Sequence, residues 1–550
     1  MTRYRGVIAV AETYAATYRS ILAPQPPASL MAAKTTLHSN LELPFGPAEP
    51  RYRLSKSRFV AGSQCHRLLW WQVHEPMAVE LQPDKVLQDR FDQAAQVSKL
   101  ARDLYPGGTL INLPPPRVEE RVDASRAAME DGAAVVYEAT FLDHDTHVAA
   151  DVLLREADGW RLVEVKSASS LKEEHLLDAA IQLHVLTRSG VHVRAVDVLH
   201  LNAKFRHPDQ GDLFQRETVT DDVRPLLAAI PAEIDAQLAM LGGPLPDAPI
   251  GLNCHEPREC PFLERCWPND ADHISKLYNV GPKNCDKYMK AGVHRIADIP
   301  ASKKLPPAAQ RQIRAMKENR VIVESTLAEA LKPFDCRLGF LDFETIQRAV
   351  PVWPGMSPWE PAAAQFSYHQ ANGDGTHSHV EYLAEGPNDC RPELARKMIE
   401  ATRCVERVVT YSAFEKTRIR GLQQCVPTLR AELVDLENKL IDLLPVIRDN
   451  VYHPKFEGSF SLKKVLPALV PDLTYNDLVI VDGLVASVEI ARLLFVANKI
   501  APEERVRVRQ DLLKYCERDT WAMVRLLESL RTPGRARADL TCRSGTTESQ

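Results

Sequence analysis

Residues 339–347, GFLDFETIQ, form an apolar run broken by two acids set two residues apart. Side chains alternate between the faces of a strand, so Asp342 and Glu344 project together while Leu341 and Phe343 point the other way. Two carboxylates on a buried strand face carry a large desolvation cost unless cations neutralise them. The segment therefore predicts a strand whose acids meet a divalent ion, with an exposed edge strand as the less attractive alternative.

Near the far end, LLKYCERDTWAMVRLLESL reads as a helix that sets Tyr515 and Asp519 on one face, four residues apart. A phenol beside a carboxylate suits water positioning and metal binding. In VVTYSAFEKTRIRGL, Glu415 follows Phe414 at an expected strand-to-helix turn, with Ser412 just before. Together these motifs resemble the DEDD family of 3′–5′ exonucleases in its Tyr-containing subclass, over about Arg337 to Leu530. The resemblance implies a ribonuclease H-like fold and two metal ions held by Asp342, Glu344, Glu415 and Asp519. It also implies that Tyr515 orients the attacking water and that in-line hydrolysis releases nucleotides. Glu415 stands where the family has an Asp, and Asp442 in LIDLLPVIRD is the less favoured substitute.

A second acidic constellation lies upstream. In HVAADVLLREADGWRLVEVKS, two strand-like runs flank a turn at Glu156-Ala157-Asp158-Gly159. Pairing Arg155 with Trp160 places Asp151 opposite Glu164 and puts Lys166 on the same face, with Val163 and Val165 on the other. Two acids form a hard-oxygen site for Mg²⁺ or Mn²⁺, and a neighbouring ammonium orients water or stabilises a phosphorane-like charge. An exposed hairpin with a surface Glu–Lys pair is the bland alternative.

The eleven cysteines are too sparse for a disulfide-built secreted scaffold, yet Cys254, Cys260 and Cys266 recur at six-residue intervals and Cys65 stands alone in SQCHRLLWW. With Asp151, Glu164-Val165-Lys166 and Gln182 in the following helix, this pattern resembles the RecB-like branch of the PD-(D/E)-x-K nucleases that carries an iron–sulfur cluster. The likeness spans about Leu54 to Trp267. It implies that Cys65, Cys254, Cys260 and Cys266 hold a [4Fe–4S] cluster tying the ends of that domain together. Zn²⁺ is the alternative, since four thiolates satisfy a tetrahedral site. The family commonly has a metal-binding His in its early helix; RFDQAAQVSKLARDLYPGG has none.

Between these regions the chain is basic. Its net charge is −5, but residues 271–320 sum to +7 and leave −12 elsewhere. A basic island in an acidic chain suits a polyanion backbone, and a solvated helix face is the bland reading. NVGPKNCDKYMKAGV resembles half of a helix-hairpin-helix, which implies phosphate contacts from Gly281, Lys283 and Lys287. Farther on, Gly458, Ser459, Ser461, Lys463 and Lys464 in YHPKFEGSFSLKKVLPALVPDLTYNDL are further candidates for phosphate contact, with an ordinary loop as the alternative. That tract is similar to a bacterial family of uncharacterised proteins joining both halves in one chain.

With 45% hydrophobic and 26% charged residues, composition is that of a folded globular chain too long for one core. No uncharged apolar run reaches the ~18 residues of a membrane helix. The expected fold class is α/β: an irregular leader (1–50), a restriction-endonuclease-like α/β nuclease domain (51–270), a helical connector (271–332), a ribonuclease H-like α/β domain (333–532) and a tail (533–550). The expected protein is cytoplasmic and acts on DNA or RNA as a metal-dependent nuclease. The alternative is a nucleic-acid-binding scaffold with one or both sites inactive.

Overall fold

The computed structural model describes residues 52–300 and 303–532, so the expected leader and tail lie outside the described residues. The fold class is α/β, with two mixed sheets. In the first half, runs rich in Val, Leu and Ala separated by turn residues become strands, as β-branched and apolar alternation favours. These are β1 (Leu54–Ser55), β2 (Thr109–Leu110), β3 (Val135–Asp143), β4 (Thr146–Glu156), β5 (Gly159–Lys166), β6 (Val193–Leu201) and β7 (Phe214–Thr218). The sheet runs β2-β3-β4-β5-β6-β7, with β1 beside β4. The β4–β5 hairpin pairs Arg155 with Trp160 and Val152 with Val163, the register expected from the sequence.

Three helices position this sheet: α1 (Lys56–Gln64), α2 (Lys85–Asp103) and α3 (Glu173–Arg188). α2 starts where Asp84 accepts the Leu87 N–H at 2.7 Å, satisfying one of the helix's free amides. α3 packs Ala179, Ala180, Leu183 and Leu186 into a core with Leu162, Val196 and Val198. On the opposite face Val163, Val165 and Leu199 meet Val97 and Ala101 of α2.

The connector has a small core of its own, in which Ile274, Leu277, Cys285 and Ile296 surround α4 (Gly281–Lys290). It joins the second half through a two-stranded sheet of β8 (Ile322–Val323) and a later strand, Val451–Tyr452.

The second sheet contains β9 (Leu338–Ile346), β10 (Ala362–Ala371), β11 (His377–Leu383), β12 (Arg407–Thr410) and β13 (Leu440–Asp442), in the order β11-β10-β9-β12-β13. β9 is central, antiparallel to β10 and parallel to β12. This excludes the edge-strand alternative for Asp342 and Glu344. Around the sheet lie α5 (Phe414–Cys425), α6 (Leu462–Leu469), α7 (Gly483–Phe495) and the 30-residue α8 (Pro502–Arg531). Both α7 and α8 pack on β9.

The two halves are in direct contact. The β9–β10 connection crosses to α2, where Gln93 Oε1 accepts the Ala349 N–H at 2.6 Å and Arg348 pairs with Asp89 at 2.7 Å. Trp359 Nε1 donates to the Ser167 carbonyl at 2.6 Å, and Lys85 pairs with the buried Glu489 of α7 at 2.5 Å. Ala349 is fully buried in the apolar cluster of the first sheet.

Candidate active site

In the second half, strand alternation works as the sequence implies. Leu341 and Phe343 are buried in the core, and Asp342 and Glu344 emerge on the face covered by α8. There the helix contributes Asp519, and the three residues each place a carboxylate oxygen within 4.8 Å of the others. Glu344 and Asp519 are buried and Asp342 half-buried. Burial, then the charges of Asp519, Glu344 and Glu415, hold the Asp342 carboxyl well above its usual range. Burial and Asp519 do the same to Glu344, against an opposing pull from the Lys463 ammonium. Burial pushes Asp519 up to about 6 despite the Tyr475 hydrogen bond and Lys463. Such crowding of desolvated acids is the electrostatic signature of a site short of positive charge.

Glu415 enters from the first turn of α5, after a turn in which Ser412 takes φ 135° and its Oγ accepts the Phe414 N–H at 3.1 Å. Its carboxyl is buried, with Oε2 lacking a hydrogen-bond partner. Burial, with Asp442 and Asp519 adding to it, pushes Glu415 up to about 8. Asp442 caps the next helix by accepting the Leu444 N–H at 2.9 Å. That carboxylate is spent on local structure, which favours Glu415 as the ligand.

Two phenols converge on Asp519. Tyr475 donates its hydroxyl hydrogen to Oδ1, and Tyr515, one turn earlier on α8, has its ring centroid 6.4 Å from that of Tyr475. Burial and the Asp519 charge hold both phenols well above their ordinary range, so they remain protonated donors. The Cys516 thiol lies 3.6 Å from Asp342 Oδ2. Four hard carboxylates, one with an orphaned oxygen, are a donor set that fits Mg²⁺ or Mn²⁺.

The first-half site is also assembled but is balanced differently. Asp151 Oδ2 accepts the Val165 N–H at 2.7 Å, and burial together with the Glu164 charge pushes its carboxyl up to about 7. Glu164 is buried, and Oε1 is shared by Lys56 at 2.6 Å and Lys166 at 2.7 Å, while Oε2 accepts from Gln182 at 2.6 Å. Burial alone would raise the Glu164 carboxyl, but the two ammoniums outweigh it and hold it well below its usual range. Lys166 also pairs with Asp178. With both Glu164 oxygens engaged, this donor set does not fit a divalent ion as arranged.

Cys65, Cys254, Cys260 and Cys266 line one pocket with Leu68 and Phe262. Burial raises the Cys65 thiol and pushes Cys260 up to about 11, with charge on the neighbouring cysteines adding to both. These cysteines do not form a group with three sulfurs within 4.8 Å of one another; among the described residues, the groups that tight are the acid trio and His369, His379 and Glu517.

In the connector, Gly281 opens α4 with φ 63°, a left-handed conformation that glycine adopts without strain. Lys283 reaches Glu256 of the cysteine segment at 3.5 Å, and Lys287 lies in the last turn. No helix among the described residues is long and apolar enough to cross a membrane.

Residues 339–461 match a family described as Domain of unknown function (DUF2779). No curated protein and no solved structure matches the chain. The matched stretch carries Asp342, Glu344 and Glu415 and ends before Tyr475, Tyr515 and Asp519.

Three contributors escaped sequence reasoning. Lys56 sits 108 residues before Glu164, and Tyr475 reaches Asp519 from a loop. Neither carries a local signal. Asp178 was open to detection, because it precedes Gln182 by one helical turn and so shares its face.

Proposed function

We propose that the chain is a divalent-metal-dependent nuclease that hydrolyses phosphodiester bonds of DNA or RNA, as a 3′–5′ exonuclease, at the centre built from Asp342, Glu344, Glu415 and Asp519. The observation that carries this reading is the convergence of three carboxylates within 4.8 Å from a central strand and a helix far apart in the chain. Asp342, Glu344, Glu415 and Asp519 would hold the ions. Bound Mg²⁺ or Mn²⁺ supplies a nucleophilic hydroxide and neutralises developing phosphoryl charge. Tyr475 fixes the Asp519 carboxylate by donating to it, and Tyr515 beside it would orient the attacking water. The meander of three antiparallel strands extended by two parallel ones is in keeping with a ribonuclease H-like module.

A second reading applies to the first half alone. Lys56 and Lys166 already neutralise Glu164, which favours a RecB-like module that grips nucleic acid over one that cuts it. Its four cysteines hold a [4Fe–4S] cluster in this proposal. Four thiolates also satisfy tetrahedral Zn²⁺, and iron and sulfide content separates the two.

The test is incubation of the purified chain with single- and double-stranded DNA and RNA in Mg²⁺ or Mn²⁺. Metal-dependent release of mononucleotides supports the reading, and intact substrates under every condition overturn it.

A further inference from the structure

Among the described residues, the acid centre has one cation whose hydrogen-bonding capacity is unused. Two side chains, Lys463 and Arg518, oppose the negative charge at Asp519. Arg518 is spent, since its guanidinium grips both oxygens of Asp477 at 2.9 and 2.7 Å. Lys464, next along the chain, pairs with Glu457 at 2.9 Å. Lys463 differs from both. It is half-buried at the start of α6, and its Nζ lies 5.2 Å over the Tyr515 ring and 5.9 Å over the Tyr475 ring. Among the described residues it makes no hydrogen bond and no ion pair. Of the two tyrosines that cradle it, Tyr475 is bonded to Asp519, so its position is tied to that of the acids.

A half-buried ammonium resting on aromatic faces keeps some cation–π stabilisation but leaves three N–H donors without acceptors. Such a group beside carboxylates meets a choice when divalent ions arrive. With divalent ions bound to the acids, the ammonium would no longer be needed to neutralise them, and its donors would suit an anion bound next to the ions.

We propose that Lys463 is the phosphate-binding residue of this centre, donating to a non-bridging oxygen of the nucleotide phosphate held against the acids. The inference rests on the nuclease reading for the identity of the phosphate. It assigns Lys463 a binding and positioning role, with Tyr475 and Tyr515 as the platform that aims it.

The experiment compares the full chain with Lys463→Met and Lys463→Arg. Mn²⁺ affinity is measured by calorimetry, and binding of a nucleoside 5′-monophosphate is measured in saturating Mn²⁺. Lys463→Met is expected to bind Mn²⁺ as well as or better than the unsubstituted chain, because a competing cation is gone. Its nucleotide affinity falls roughly 10- to 100-fold, the loss of a charge-assisted contact beside a metal site, and Lys463→Arg recovers most of it. The salt slope for single-stranded DNA binding becomes shallower by about 0.7, one phosphate contact. Unchanged nucleotide affinity in Lys463→Met overturns the proposal, as does joint loss of Mn²⁺ and nucleotide binding, which marks a structural role. If the unsubstituted chain binds the nucleotide through Lys463 yet releases no mononucleotides from any strand, the nuclease reading fails and the Lys463 assignment stands.

Discussion

The Tyr475 hydroxyl donates a hydrogen bond to Oδ1 of Asp519, fastening a loop to a helix residue 44 positions later. A buried carboxylate that loses such a donor loses about 1.5–3 kcal/mol of stabilisation of its charged form. Tyr475→Phe is therefore expected to lower nucleotide release about tenfold or more, by the same conversion. The Asp519 carboxyl then titrates above its present value of about 6. The pH below which Mn²⁺ affinity declines moves upward, which calorimetric titration across pH 5–8 measures.

Burial of the acids, with the Asp442 and Asp519 charges adding to it at Glu415, predicts how stability depends on pH. Asp519 and Glu415 titrate in the folded chain at about 6 and 8, up from 3.8 and 4.5. The folded state therefore holds more protons than the unfolded one over this range. The contribution of these groups is fully present below about pH 4 and is lost as pH rises through 6 to 8. In EDTA the melting temperature falls over that window, and Mn²⁺ raises it more at pH 8 than at pH 5. Asp342→Asn, which removes one of the repelling charges, raises the metal-free melting temperature at pH 8.

In the first half the balance of charge is reversed. Lys56 and Lys166 both pair with the buried Glu164. Orphaning a buried charge costs about 3–5 kcal/mol. Because Lys166 stays, Lys56→Met is expected to cost roughly 1–3 kcal/mol, read by urea denaturation. Nucleotide release by the second half is unaffected in the native range.

Strand alternation and hairpin chemistry made much of this arrangement legible. The turn at Glu156–Gly159 fixed the β4–β5 register, and with it the shared face of Glu164 and Lys166. Two acids in GFLDFETIQ implied a charged pocket on a buried strand, and β9 is the centre of its sheet. What the sequence hid were contacts set by tertiary packing. Lys56 comes from a helix that meets Glu164 only when β1 docks on β4. Tyr475 and the unpaired state of Lys463 depend on how α6 and the loop after it lie against α8. The spent state of Asp442 was equally hidden, because capping depends on where the helix begins.

For the cysteines, protein isolated anaerobically is expected to be brown, with iron and sulfide in equal amounts. Cys254→Ser, at the buried member of the set, loses the colour and lowers the melting temperature. Colourless protein carrying zinc reverses the assignment.

Digestion of a 5′-labelled strand in Mn²⁺ by the intact chain and by Asp342→Ala decides whether Asp342 belongs to a hydrolytic metal centre. The intact chain is expected to give a ladder shortening from the 3′ end, and Asp342→Ala at equal folded content none. Equal shortening by both proteins would contradict the assignment of Asp342 to that centre.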